Sequence, residues 1–181
     1  MQQIRPDPAG FGSGSYGAAF ILGATSNDLL TANGYAVVYG QSGSTDPVRL
    51  VSFTNGLPNL TNVITGTGTF ADIGADYLSV KVTYDPMTNG WELFGRNDGT
   101  SAFTDPLTGS LGSVGSATDS SFVGSSLSSL GAFWSYSTAG SQTAQFDNIT
   151  VTAIPEPSTY AAIMGLVTMG VVFWRRRSKK A

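Results

Sequence analysis

The sequence predicts an all-β body, an antiparallel β-sandwich, followed by one apolar C-terminal helix. Three observations carry this. Short runs of β-branched and aromatic residues recur, bounded by Asn-Gly, Asp-Pro and Gly-Ser turn signals about every ten residues. No stretch before residue 155 has a helical period. Glycine occurs 23 times in 181 residues, about twice its usual share of roughly 7%, as a chain with many turns requires.

The length suits one domain plus a tail, with a β-sandwich over 1–153 and a separate segment over 154–181. Strands are expected at 18–22 and 35–39, separated by Ser26-Asn27-Asp28 and Asn33-Gly34. A third, at 48–53, comes after Asp46-Pro47. The clearest is 77–84, which sets Leu78, Val80, Val82 and Tyr84 on one face and Tyr77, Ser79, Lys81 and Thr83 on the other. Asp85-Pro86 and Asn89-Gly90 then reverse the chain into 91–96, a hairpin with a loop longer than two residues. Later strands are expected at 127–136 and 144–152.

Composition removes whole classes of chemistry. There is no cysteine and no histidine, so disulfides, thiolate nucleophiles, Ser-His-Asp triads and His-liganded metals are excluded. Before Pro155 four basic residues face eleven acidic ones, a net of −7, which repels a phosphate backbone and argues against nucleic-acid binding. The remaining five cations, Arg175, Arg176, Arg177, Lys179 and Lys180, fall in the last seven positions.

The tail explains that asymmetry. Residues 161–174 contain one polar side chain, Thr168, and come after Pro157, which can open a helix, and Ser158 or Thr159, which can cap it. A helix over 158–174 is about 26 Å long, just short of a hydrocarbon core of roughly 30 Å. The basic tail 175–181 can snorkel to the headgroups, and Tyr160 and Trp174 sit where interfacial aromatics belong. The positive-inside rule then puts the C-terminus in the cytoplasm and the body outside. Gly165 and Gly170 lie five apart, so the small-xxx-small dimerisation spacing is missing.

Pro155-Glu156-Pro157, an apolar helix and a short Arg-rich end together resemble the PEP-CTERM sorting signal of Gram-negative bacteria, over 154–181. The resemblance implies handling by an exosortase, a membrane-embedded cysteine protease or transpeptidase acting near the Pro-Glu-Pro motif. It further implies transit through the inner membrane and delivery to the cell surface or exopolysaccharide matrix. Pro155, Glu156 and Pro157 are then substrate rather than catalyst. Members of that family begin with a signal peptide, whereas the first residues here are polar and carry Pro6 and Pro8, and the apolar patch 18–23 is too short for one. The expectation is that an export signal, with early strands, lies upstream of Met1.

The body is similar to a concanavalin A-like or laminin-G-like jelly roll, on the runs 34–40, 48–51, 76–83, 91–93 and 146–151. That resemblance implies carbohydrate or surface binding. Trp134 and Tyr136, two apart on one strand, are the candidate sugar-stacking pair, whereas Trp91 is expected in the packing. Glycoside hydrolysis needs two carboxylates across the scissile bond. The body has a single glutamate, Glu92, and lacks the Glu-x-Asp-x-x-Glu strand of the hydrolase branch, so a non-enzymatic protein is expected. No cofactor is expected. Calcium would have to bind at Asp72 and Asp76 or at Asn97-Asp98-Gly99, but the alternating Asp ligand pattern is missing, and the tripeptide reads as a tight turn. The expected function is a sorted surface protein binding extracellular polysaccharide, with a structural adhesion protein and a jelly-roll hydrolase as alternatives.

Overall fold

Strands form where the alternation and turn signals place them, and in the computed structural model they assemble into facing antiparallel layers. The structure describes residues 1–3, 11, 17–40, 45–135, 143–152, 164, 166, 168 and 169. Two units divide the chain, Met1–Asn148 and Ile149–Ala181. The first holds ten strands among the described residues: β1 (Gln2–Gln3), β2 (Gly17–Ala24), β3 (Gly34–Tyr39), β4 (Val48–Phe53), β5 (Leu60–Thr65), β6 (Tyr77–Asp85), β7 (Gly90–Gly99), β8 (Gly112–Thr118), β9 (Ser129–Ser135) and β10 (Ala144–Gln145).

The larger sheet has the order β5-β4-β3-β2-β9 and the smaller the order β6-β7-β8, with every pairing antiparallel. Both of these sheets are built from consecutive strands except for β9, which returns to lie beside β2, and a third, two-stranded sheet pairs β1 with β10. A jelly roll instead exchanges strands between its sheets, so the expected jelly-roll connectivity is not confirmed by the described strands. The smaller sheet is extended at one end. Met1 exchanges two hydrogen bonds with Leu78 (2.7 and 2.9 Å), while Gln2 and Gln3 pair with Gln145 and Ala144 of β10.

One apolar cluster fills the space between the layers. Tyr35, Val37 and Tyr39 of β3 with Val48 and Leu50 of β4 meet Leu78 of β6 and Trp91 and Leu93 of β7. A second cluster covers the opposite face of the larger sheet, where Ala19, Ile21, Ala36, Val38, Val51 and Phe53 pack with Phe11, Leu57 and Phe133. With both faces covered, every residue of β3 and β4 is buried, which is why both strands read as nearly continuous apolar runs. Arg49 is the charged exception. Its guanidinium donates to Asn62 Oδ1 (2.9 Å) and the Gly40 carbonyl, and burial pulls its pKa down.

The expected strands at 18–22, 35–39, 48–53, 77–84 and 91–96 are present with small shifts at their ends. Two further strands lack an apolar or alternating pattern. β5 (LTNVIT) carries three Thr/Asn residues on a half-exposed edge, and β8 (GSVGSAT) offers only Val114 and Ala117 to the core. Gly115 explains the choice in β8: a Cβ there would lie 2.9 Å from Ile64 Cγ2 of β5, where the two layers approach. The strand expected over 144–152 stops at Gln145. Beyond it Asn148 has a left-handed φ of 51° that a continuing strand does not adopt, its N–H bonded to Asp147 Oδ1 (2.8 Å).

Leu50 and Leu93 are fully buried from opposite layers, so Leu50→Ala and Leu93→Ala should each lower the unfolding free energy by about 2–5 kcal/mol in urea titrations. Leu107→Ala, at a side chain 79% exposed, should change it by less than about 0.5 kcal/mol.

Candidate functional site

The sequence places the sorting residues at the end of the chain, and most of them lie outside the described residues: Pro155, Glu156 and Pro157, the basic residues Arg175, Arg176, Arg177, Lys179 and Lys180, and most of the span 158–174. The four described positions of that span, Met164, Leu166, Thr168 and Met169, are helical. Thr168 Oγ1 donates to the Met164 carbonyl (2.7 Å), the i to i−4 bond by which a hydroxyl hides its polarity within an apolar helix. Met164, Leu166 and Met169 are all exposed. Among the described residues no helix is long and apolar enough to cross a membrane.

Just before this segment, residues 149–152 are exposed and belong to no strand. Ile149 and Val151 are 53% and 68% accessible, unusual for β-branched apolar side chains.

Of the sugar-stacking pair, Tyr136 lies outside the described residues. Trp134 stands on β9 opposite Ala18, turned to the inter-sheet cluster and partly buried against it. Phe133 faces the other way and contacts Phe11 at 5.8 Å between ring centroids.

A different aromatic group reaches the surface. Trp91 sits between Tyr35 and Tyr84, each at 4.5 Å, and Phe122 closes on Tyr35 at 5.2 Å. Trp91 is 8% exposed, whereas Tyr84, toward the hairpin end of β6, is 37% exposed. Polar groups ring this stack. Tyr84 donates to Asn89 Oδ1 (2.9 Å), Trp91 Nε1 donates to the Asp119 carbonyl (3.3 Å), and Tyr35 donates to the Asp119 carboxylate. Burial first, and Asp119 second, raise the Tyr35 pKa. Desolvation acts to raise the pKa of Asp119, but hydrogen bonds from Tyr35 and the Ser121 N–H outweigh it and bring the group below its ordinary value. The predicted hairpin sets Tyr84 opposite Trp91, but no local pattern adds residues 35 and 119, which come from other segments.

Two of the three acidic positions considered for calcium, Asp76 and Asp98, have other partners. Asp98 is the extra residue of a bulge, since Tyr77 pairs with Gly99 and Leu78 with Asn97. The bulge turns its carboxylate onto Arg96, which forms an ion pair with it, and Ser79, whose hydroxyl donates at 2.6 Å. Gly99, with φ 76°, donates its N–H to Asn97 Oδ1 (2.8 Å), so Asn97-Asp98-Gly99, expected as a tight turn, is instead the bulged end of β7. Asp76 Oδ2 accepts from Asn97 Nδ2 (2.8 Å). No group of three or more carboxylates that could hold a metal occurs among the described residues. Glu92 lies on the outer face of the smaller sheet, where Thr83 donates to it (3.1 Å), beside Lys81 stacked over Phe94 at 4.4 Å.

Residues 153–177 match the PEP-CTERM protein-sorting motif. The motif is a recognition signal for exosortase, and it marks an exported protein that passes through the membrane to the cell surface. No curated protein and no solved structure matches the chain.

Asp119 ties acid sensitivity to this packing. A carboxyl with a lowered folded pKa contributes stability above its unfolded value, 3.8, and loses it as pH falls through the folded one. Tyr35→Phe should therefore cost about 1 kcal/mol at neutral pH and flatten the acid limb of stability below pH 3.8, read by urea titration at stepped pH.

Proposed function

We propose that the chain is a non-enzymatic protein of the cell surface or extracellular matrix, held in the inner membrane by residues 158–174 during transit and processed by exosortase beside Pro155-Glu156-Pro157. The match over 153–177 carries this reading. In transit the five terminal cations stay in the cytoplasm and the body lies on the far side. Proline fixes φ and lacks an N–H, so the composition of the motif favours the extended form that suits a substrate of a processing enzyme. A non-enzymatic body is supported by the lack of histidine and cysteine and by Asp98 being committed to Arg96 and Ser79.

Changing Pro155, Glu156 and Pro157 together to alanine should leave the full-length chain unprocessed in the membrane fraction, whereas the parent sequence yields a smaller surface-associated product. Equal processing of both on immunoblots would refute the sorting reading.

Extracellular polysaccharide is the proposed ligand class of the body. The half-exposed Tyr84 ring, backed by Trp91 and flanked by Asn89 and Asp119, has the apolar face and polar rim that suit a sugar. Tyr84→Ala should reduce exopolysaccharide pull-down by about fivefold or more, since loss of one stacking ring is worth about 1 kcal/mol or more. Unchanged capture by Tyr84→Ala would favour a purely structural adhesion protein. Reducing-sugar release from the polysaccharide would instead favour a hydrolase.

A further inference from the structure

Residues 149–152 read Ile-Thr-Val-Thr, as strand-prone as any run in the chain, yet the fold does not use them. The last ladder pairing is at Gln145, the left-handed Asn148 ends the extended path, and the first compact unit stops there. No hydrogen bond to these residues occurs among the described residues, and Ile149 and Val151 hold 53% and 68% of their surface open to solvent. In an extended chain these two side chains lie on one edge and Thr150 and Thr152 on the other. An unpaired segment of this composition is a liability for self-association, which proteins ordinarily blunt with charge, proline or a cover. Neither charge nor proline is present within the four residues, and their side chains are exposed. The sorting motif begins at the very next position, residue 153.

We infer that residues 149–152 are the upstream part of the exosortase recognition element: an extended strand that the processing enzyme binds through its backbone, with Ile149 and Val151 seated in apolar pockets. The inference rests on the sorting reading above and extends it to residues outside the Pro-Glu-Pro tripeptide. Two properties fit. Strand addition takes its affinity from main-chain hydrogen bonds and its specificity from alternate side chains, and this segment offers backbone groups outside any ladder and one apolar edge. An enzyme buried in the membrane also needs its substrate clear of the folded body. Among the described residues, those that build both apolar clusters of the body all precede residue 149, so drawing 149–152 into a cleft removes none of them.

The test uses the full chain expressed beside exosortase, with conversion of precursor to product monitored by pulse-chase. Ile149→Ser with Val151→Ser should slow conversion about tenfold or more, as expected for losing two buried β-branched side chains. Thr150→Ser with Thr152→Ser should stay within about twofold of the parent. The melting temperature of the body should be unchanged in both, which a structural role for Ile149 and Val151 would not allow. Conversion of the Ile149/Val151 variant at the parental rate, or a lowered melting temperature that accounts for its slow conversion, would overturn the inference while leaving the sorting reading intact. If the parent itself is never converted, the sorting reading fails and this inference fails with it.

Discussion

Burial of one apolar surface between two sheets is the constraint on which the rest of the body depends. Tyr35, Val37, Tyr39 and Leu50 on one side need Leu78, Trp91 and Leu93 on the other, since neither sheet alone could keep those side chains from water. The requirement sets strand register, because a slip of one residue would turn Leu78 outward and Ser79 into the core. It also sets polarity at the margin. Tyr39 lies deep enough that burial, and after it the nearby Asp76, Asp46 and Asp72, raises its pKa. Its hydroxyl donates outward to the Gly74 and Asp76 carbonyls (2.9 and 3.0 Å), tying the loop before β6 to the core of β3.

The same core explains what can be read from the sequence. β3, β4 and β6 are legible because their side chains alone state their environment: continuous apolar residues where both faces are covered, alternation where one is. The hairpin between β6 and β7 is legible too. Asp85 accepts from the Met87 N–H (2.9 Å) and Thr88 hydroxyl (2.8 Å), and Asn89 takes a φ of 54°, both habits of those residue types in turns. β8 is not legible, since Gly115 answers to the close approach of Ile64, a long-range fact with no local trace. The end of β10 is misread for the opposite reason. Local propensity over 149–152 favours a strand, and tertiary context supplies no ladder for it.

Side chains with apparent chemical potential meet a similar fate. Asp98 reads as a loop carboxylate until the bulge turns it onto Arg96 and Ser79, where it pins residues 104 and 105 through the Arg96 bonds to their carbonyls (3.5 and 3.2 Å). Trp134 reads as a surface aromatic until pairing with Ala18 directs it to the inter-sheet cluster. Alternation assigns Tyr84 to the core face, correctly for its direction. Burial nevertheless fades along β6, from Leu78 at 1% to Tyr84 at 37%, because the strand runs toward the end of the sandwich. Period-two patterns give the face of a strand and are silent about position along it.

The sorting segment is legible for a different physical reason. Its meaning does not depend on how the body folds. Proline spacing, an apolar run broken only by Thr168 and a block of cations are read in one dimension, as a sorting motif recognised by exosortase requires. The body contains no cysteine or histidine, so under the proposed processing neither a thiol nor an imidazole of its own is available, in keeping with a reaction carried out by another protein. Processing as proposed makes a demand on the body: its stability would have to survive loss of everything after the cut. Among the described residues both apolar clusters draw only on positions before 149 and the last strand pairing is made at Gln145, so the proposed cleavage beside Pro155 would remove none of these contacts.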